Sequence, residues 1–150
     1  DAQLYGFDMD WAWRFGEHWS VSGIVNYVRG KRDDIDDELY RIAPLNASFR
    51  LDYVAATWSV GVENVLYSAQ NQVSETNREQ ETSGYGLLNL SATWQATANL
   101  QLAAGVDNVL DKEYQDHLAG YNRAKNPDIG LRERLYGTGT NVFARLSYNF

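Results

Sequence analysis

From Tyr5 to Phe15 the chain alternates, with Tyr5, Phe7, Met9, Trp11, Trp13 and Phe15 set against Gly6, Asp8, Asp10, Ala12 and Arg14. A repeat of two places the first set on one face of a β-strand and the second on the other. Gly16-Glu17-His18 then turns the chain, and Trp19, Val21, Val25 and Tyr27 return it against Ser20, Ser22 and Asn26. The same reading gives a second hairpin. Leu45, Ala47, Phe49, Leu51 and Tyr53 lead to a turn near Ala55–Thr57, and Trp58, Val60, Val62 and Leu66 follow it, with Asn64 breaking the apolar face. A third runs through Leu88, Leu90, Ala92 and Trp94, turns at Ala96–Asn99 and continues through Leu100, Leu102, Ala104 and Val106. The closing strand sets Val142, Ala144, Leu146, Tyr148 and Phe150 against Asn141, Arg145, Ser147 and Asn149.

The pattern predicts seven antiparallel strands of about ten to thirteen residues joined as a meander, with no sustained helical period. Average soluble strands run only about five or six residues. Strands of the predicted length, rising ~3.3 Å per residue and tilted near ~40°, cross the ~25 Å apolar band of an outer-membrane barrel. Short turns alternate with long polar connections at about Lys31–Ala43, Gln70–Gly84 and Asp111–Gly139. Short periplasmic turns and long extracellular loops are the pattern of such barrels. Phe15, Trp19, Tyr53, Trp58, Trp94, Tyr148 and Phe150 fall at the short-turn ends, as the headgroup level of a bilayer favours; aromatics at strand ends of a soluble core are the plainer alternative.

Composition changes this picture little. Aromatics make up 13% of the chain, with 10 Tyr and 5 Trp, yet mean hydropathy is negative; a sheet with one lipid face and one wet face gives that mixture. No run of 18 or more apolar residues is present, so no transmembrane helix is expected. Absence of Cys excludes disulfides and thiolate metal sites. The net charge of −7 argues against a nucleic-acid partner. The chain begins at Asp1 without a leader segment, as a processed chain or a fragment does.

The run Gly105-Val106-Asp107-Asn108-Val109-Leu110-Asp111-Lys112-Glu113-Tyr114 resembles the penultimate strand of TonB-dependent outer-membrane receptors. Gly84-Tyr85-Gly86-Leu87-Leu88-Asn89-Leu90 is similar to the start of an earlier strand in that family, and Asn141–Phe150 to its closing strand. The resemblance covers about Pro44 to the end, in order and spacing. It implies that residues 1–150 are the C-terminal part of a ~22-stranded barrel, with the plug domain and the TonB-contacting segment outside this chain. It further implies an active-transport receptor in the bacterial outer membrane, energised by the TonB complex, for a scarce metal chelate: a ferric siderophore first, or haem, cobalamin or copper. Glu133–Gly139 resembles copper-importing members without choosing the cargo. The closing strand also looks like the signal read by the barrel-assembly machinery, with Leu146, Tyr148 and Phe150 as its apolar alternation, although Arg145 stands where a nearby Gly is often found.

Asp33, Asp34, Asp36, Asp37 and Glu38 form the densest charge cluster. A calcium site or vestibule wall is one reading, but the spacing lacks the EF-hand glycine, and a solvated loop flanked by Lys31, Arg32 and Arg41 is the ordinary one. His18 sits in a turn facing water; His117 follows Glu113 and Asp116 in the last long loop, where a transient metal or ligand contact is conceivable. No histidine has the Ser or Cys and orienting acid that a hydrolase needs, so no enzyme is expected, and no resident metal or cofactor. Asp8, Asp10, Arg14, Asn26, Arg50, Asp52, Glu63, Asn89 and Asp107 share the polar face, either lining a plugged lumen or facing water. The last long loop interleaves Tyr114, His117, Tyr121, Arg123, Lys125, Arg132, Arg134 and Tyr136. Cations attract anionic chelates and rings offer apolar contact, so Tyr114, His117, Tyr121 and Arg123 are the candidate ligand residues, against the bland reading of a solvated loop.

The fold expected is thus all-β, an antiparallel transmembrane β-barrel segment that alone forms a curved open sheet. The function expected is chelate uptake, with the chelate, membrane lipid, the TonB complex and the assembly machinery as partners. A passive porin or a soluble β-sandwich binder is the competing reading. Deleting Phe150 should slow membrane assembly of the full-length protein without changing ligand binding by the molecules that do assemble. Normal insertion of the truncated protein in a reconstituted assembly assay would remove this role.

Overall fold

A computed structural model describes residues 1–125 and 128–150. Eight strands form one antiparallel sheet: β1 (Ala2–Phe15), β2 (Trp19–Arg32), β3 (Asp37–Glu38), β4 (Asn46–Val54), β5 (Trp58–Tyr67), β6 (Tyr85–Gln95), β7 (Leu100–Asp107) and β8 (Asn141–Tyr148). The order is β1-β2-β4-β5-β6-β7-β8, with β3 paired to the far end of β2. Seven long strands in a meander are as the alternation predicts. The two-residue β3 is an addition that no periodicity marks.

Register carries the face assignment across the sheet. Trp13 lies opposite Val21, Val21 opposite Leu51, Leu51 opposite Val62, Val62 opposite Leu90, Leu90 opposite Val106 and Val106 opposite Val142. Directly opposed residues share a face, so one apolar surface runs from β1 to β8, interrupted by Asn64 between Phe49 and Leu88. Gly23 makes room on it for the Trp11 indole, whose ring atoms lie where a β-carbon would stand. Among the described residues no hydrophobic side chain is buried. The sheet therefore has no protein core of its own, and a continuous apolar face this large requires an apolar cover; hydrocarbon supplies it in a barrel wall.

The opposite face is hydrogen-bonded along its length. Arg50 donates to Asp52 at 2.9 Å and to the Ser91 hydroxyl at 2.9 Å, Asn89 donates to Glu63 at 3.0 Å, and Asn26 donates to Asn46 at 3.0 Å. Ile24, Val65, Leu87 and Phe143 also fall on this face, apolar residues that the alternation leaves out.

Strand lengths are less uniform than the ten to thirteen residues expected. β1 and β2 have 14 each, β7 and β8 only 8. Beyond Asn26, β2 has no β4 partner, so the first hairpin stands higher at the loop end by about six residues, or ~15 Å after tilt. The row of opposed residues through Trp19, Tyr53, Val60, Ala92, Ala104 and Ala144 starts at the first turn and drifts away from later turns by about two residues per hairpin. That stagger is the shear that tilted barrel strands need.

At the short-turn end the aromatic rings touch in series. Trp13 and Phe15 lie 5.3 Å apart, Phe15 and Trp19 stack at 6.3 Å, Trp19 meets Tyr53 edge-on at 5.0 Å, and Tyr53 meets Trp58 at 5.2 Å. His18 lies exposed in its turn, as expected, and also joins this rim: its Nδ1 lies 2.9 Å from the Val54 carbonyl and its ring 5.3 Å from Tyr53.

The two faces should differ sharply in tolerance to the same substitution. Val62→Arg puts a charge on the apolar face and should cost roughly 2–4 kcal/mol near the midplane. Val65→Arg, three residues on and on the polar face, should cost a small fraction of that. A urea titration of folding into lipid vesicles reads both, and equal losses would invalidate the face assignment.

Candidate functional site

Three long connections meet at the other end, residues 33–45, 68–84 and 108–140. Loops of this length that stay ordered need internal hydrogen bonds to replace the strand ladder. Asp37, at the start of β3, supplies the first set. Its carboxylate accepts from the Ser74 hydroxyl at 2.9 Å and from the backbone N–H groups of Glu75 and Thr76 at 2.8 and 3.1 Å. The Thr76 side chain, those two N–H groups and the Ser74 hydroxyl hold this carboxyl well below the usual range against the opposing effect of burial. Asp34 and Asp36 instead pair with Arg32 and Lys31. Within the acidic cluster Asp33, Asp34 and Asp36 are exposed, as in a solvated loop, and Asp37 is buried; among the described residues no group of three His, Asp or Glu is placed to hold a metal.

Glu79 supplies the second set. Its carboxylate accepts from the Ser74 N–H at 3.0 Å, the Arg41 N–H at 2.9 Å and His117 Nε2 at 3.1 Å, one donor from each of the three loops. The Arg41 guanidinium continues across to the Leu118 carbonyl. His117 is 4% exposed, with Nδ1 3.0 Å from the Thr82 hydroxyl and 3.4 Å from Arg134 Nη2. Arg134, also 4% exposed, donates to the carbonyls of His117 at 3.1 Å and Gln80 at 2.6 Å and to the Tyr121 hydroxyl at 3.1 Å, with its guanidinium carbon 4.7 Å from the Tyr121 ring centre. Burial pushes His117 below the ordinary histidine value; Glu79 opposes that shift and Arg134 adds to it.

Against this polar knot lies a groove of about 560 Å³ lined by Tyr40, Asn77, Arg78, Gln80, Tyr121, Asn122, Arg123, Leu131 and Arg132. Residues from all three loops form it. The side chains of Arg78, Arg123 and Arg132 have no hydrogen bond or ion pair among the described residues. Arg78 and Arg132 both sit at positive φ, +51° and +67°, a conformation that costs a residue with a β-carbon. A concave surface of this volume suits a small ligand, and unpaired guanidinium groups beside tyrosine rings suit an anion with apolar or aromatic parts.

The sequence-predicted residues do not all converge. Tyr121 and Arg123 share the groove, with Arg132. Tyr114 lies apart: its ring packs on Tyr85 at 4.5 Å, which stacks on Tyr67 at 4.8 Å, and Gly137 leaves room for it. With Tyr136 and Lys112 it lines a smaller hollow. His117 is buried in the knot and presents no surface to a ligand. Leu146 and Tyr148 lie on the apolar face, and Phe150 meets Tyr148 edge-on at 5.1 Å. Ser74, Glu79, Arg78 and Tyr40 are the residues that sequence reasoning missed, and Asp37 was read only as one of five neighbouring acids; Asp37 and Glu79 reach partners up to about 40 positions away, and no spacing rule joins them. Asn108, inside the family-like run, closes the base of the last loop by bonds to the Lys112 N–H and carbonyl and the Thr138 carbonyl.

Comparison with known proteins follows this geometry. A family model described as "TonB dependent receptor-like, beta-barrel" matches residues 1–109. It reaches the N-terminal hairpin that the resemblance from about Pro44 did not include. The ferrienterobactin receptor of Escherichia coli is 38% identical over 56 residues, which cover 37% of this chain and 8% of that protein. Among solved structures, the copper transporter OprC superposes with a TM-score of 0.90 at 26% identity, over 99% of this chain and 23% of its own. The ferric yersiniabactin uptake receptor FyuA from Yersinia pestis gives 0.76 at 20% identity, over 99% and 24%, a likeness of fold. The chain spans about a quarter or less of the length of these relatives.

Loss of the Asp37 carboxylate should free the 68–84 loop without opening the sheet. Asp37→Ala should raise protease cleavage near Glu75 while the heat-modifiable mobility of the folded barrel stays normal. Because folding lowers this carboxyl's affinity for protons, its contribution is complete above the ordinary carboxylate range and fades as pH falls below it. Limited proteolysis at descending pH should therefore show the wild-type loop approaching the variant.

Proposed function

Because this chain belongs to the TonB-dependent receptor-like β-barrel family, we propose that it is the C-terminal part of an outer-membrane active-transport receptor for an anionic metal chelate, a ferric siderophore first. On this reading the short-turn end is periplasmic and the three joined loops face outward. The plug domain and TonB-contacting segment lie outside these residues, and the TonB complex energises passage. Membrane lipid covers the apolar face, and the assembly machinery reads the closing strand through Leu146, Tyr148 and Phe150.

The observation that carries the proposal is the groove, where Arg78, Arg123 and Arg132 have no side-chain partner among the described residues and stand beside Tyr40 and Tyr121 in a chain of net charge −7. Cations concentrated in one concavity of an otherwise acidic chain attract anions and speed their capture. Tyr114, Tyr85 and Tyr136 form a second contact surface for the same ligand. The groove's chemistry is recognition and not bond-breaking, in keeping with a transport receptor rather than an enzyme.

A copper cargo is the second reading, favoured by the overlay on the copper transporter. Copper sites draw on thiolate, thioether and imidazole ligands. This chain has no Cys and 1 Met, that Met9 stands on the apolar face, and His117 is committed to the knot. Its residues support a chelate better than a bare ion.

Arg123→Ala and Arg132→Ala in the full-length protein should each weaken binding of an anionic ferric chelate by about tenfold, equivalent to ~1.4 kcal/mol, and lower its salt dependence. Binding to intact cells over a salt series tests this, with copper ions as a parallel arm. Unchanged chelate affinity in both variants would reject the groove, and copper binding alone would favour the second reading.

A further inference from the structure

We propose that Arg134 is a positioning residue for Tyr121 in the groove, and that neutral His117 latches this arrangement, so that acidification releases it and weakens capture. The proposal rests on the capture reading of the groove and adds its regulation.

The donors around His117 decide its protonation pattern. A guanidinium only donates, so the Nδ1 facing Arg134 Nη2 and the Thr82 hydroxyl is the acceptor, and Nε2 carries the hydrogen donated to Glu79. A second proton on Nδ1 would turn an N–H toward Arg134 and remove the acceptor that Thr82 and Arg134 share. The charged groups facing the ring are Glu79 from the 68–84 loop, and Arg134 and Asp116 from its own loop. Arg41, from the 33–45 loop, meets Glu79 through its backbone N–H, and its guanidinium goes to the Leu118 carbonyl beside the ring. Glu79 and Asp116 favour the extra proton; burial and Arg134 oppose it, and together they push His117 downward. The loosened loop binds that proton more readily than the latched one, so the latch is complete above the ordinary histidine range and weakens as pH falls through it.

Arg134 carries the effect to the groove. The guanidinium that approaches His117 Nδ1 also holds the Tyr121 hydroxyl, covers the Tyr121 ring and binds the Gln80 carbonyl. The Gln80 N–H donates to the same hydroxyl at 3.1 Å. Tyr121 and Gln80 are both groove walls, whereas Arg134 and His117 are not. Arg134 Nε is buried with no hydrogen-bond partner among the described residues, so the guanidinium is already held with one donor unsatisfied.

The test uses the full-length protein in outer-membrane vesicles, with the ferric complex of 2,3-dihydroxybenzoate as the anionic aromatic probe. Between about pH 7.5 and about pH 5.5, either side of the histidine range, wild-type affinity should fall by about tenfold relative to His117→Gln, which keeps a donor and an acceptor but gains no proton. Comparing the two proteins at each pH cancels changes in the probe itself. Arg134→Lys should bind weakly at both pH values while the barrel remains heat-modifiable. Hydrogen exchange, normalised to intrinsic rates, should show wild-type residues 74–82 and 117–122 losing protection over the same interval without any probe present. Wild-type protection that does not change with pH overturns the latch, as does an identical pH profile in His117→Gln. Wild-type affinity in Arg134→Lys overturns its positioning role. If exchange follows His117 but Arg123→Ala leaves probe binding untouched, the latch stands and the capture reading of the groove is what fails.

Discussion

Backbone hydrogen bonding from strand to strand is the constraint on which the rest of this molecule depends. A single-layer sheet against hydrocarbon has no water on that side to satisfy a stray N–H or C=O, so each strand must pair continuously with the next. Continuous pairing fixes register, and register with a repeat of two sends every side chain to a definite face. One slipped residue would turn Val21, Leu51, Val62 and Leu90 toward the polar face together and put Arg50, Asp52 and Glu63 on the apolar one. The aromatic series from Trp13 to Trp58 pins that register at one end. The polar ladder through Arg50 and Ser91 pins it from the other face.

Where the ladder stops, a different economy takes over. The loops bury little hydrocarbon, and carboxylates collect the donors that the strands no longer pair. Asp37 gathers the 74–76 segment, and Glu79 draws one donor from each loop. Charged acceptors make stronger hydrogen bonds than neutral ones, and a buried carboxylate left unpaired is costly. The loops are thus held in one arrangement by the penalty for leaving it. The groove is a consequence, since its walls come from segments that the knot brings together.

The division between ladder and knot also explains what the sequence could be made to disclose. Hairpins, faces, aromatic rim and loop positions follow from local alternation, and the run from Gly105 to Tyr114 pointed to the family that the model match at residues 1–109 supports. Ile24 and Phe143 escaped because each is an apolar residue on the polar face, against the alternation of its own strand. Asp37 was read among five neighbouring acids, yet it alone reaches Ser74, Glu75 and Thr76, and nothing within its own segment distinguishes it. His117 carried the chemistry of a ligand contact and sits instead among Glu79, Thr82 and Arg134, partners 17 to 38 positions away. Tyr121 and Arg123 were legible as a pair because they are near neighbours in one loop; Arg78 and Tyr40, which complete their groove, belong to the other two.

On the proposed function, the distribution of charge sets capture against passage. Arginines without a side-chain partner among the described residues line the groove at the loop end. Along the polar face of the strands Asp8, Asp10, Asp37, Asp52, Glu63 and Asp107 outnumber Arg14, Arg32, Arg50 and Arg145, and Arg50 is already paired with Asp52. On the proposed reading, an anion held at the groove would gain from its first contacts and meet like charge along this stretch of wall. A passive pore for anions works better with cations continued through its length, since binding must be weak and repeated for flux. Tight capture above an acidic wall instead favours a carrier in which work supplied from elsewhere carries the ligand past the wall. That energetic asymmetry, more than the presence of a barrel, is what separates the energised reading from the porin one.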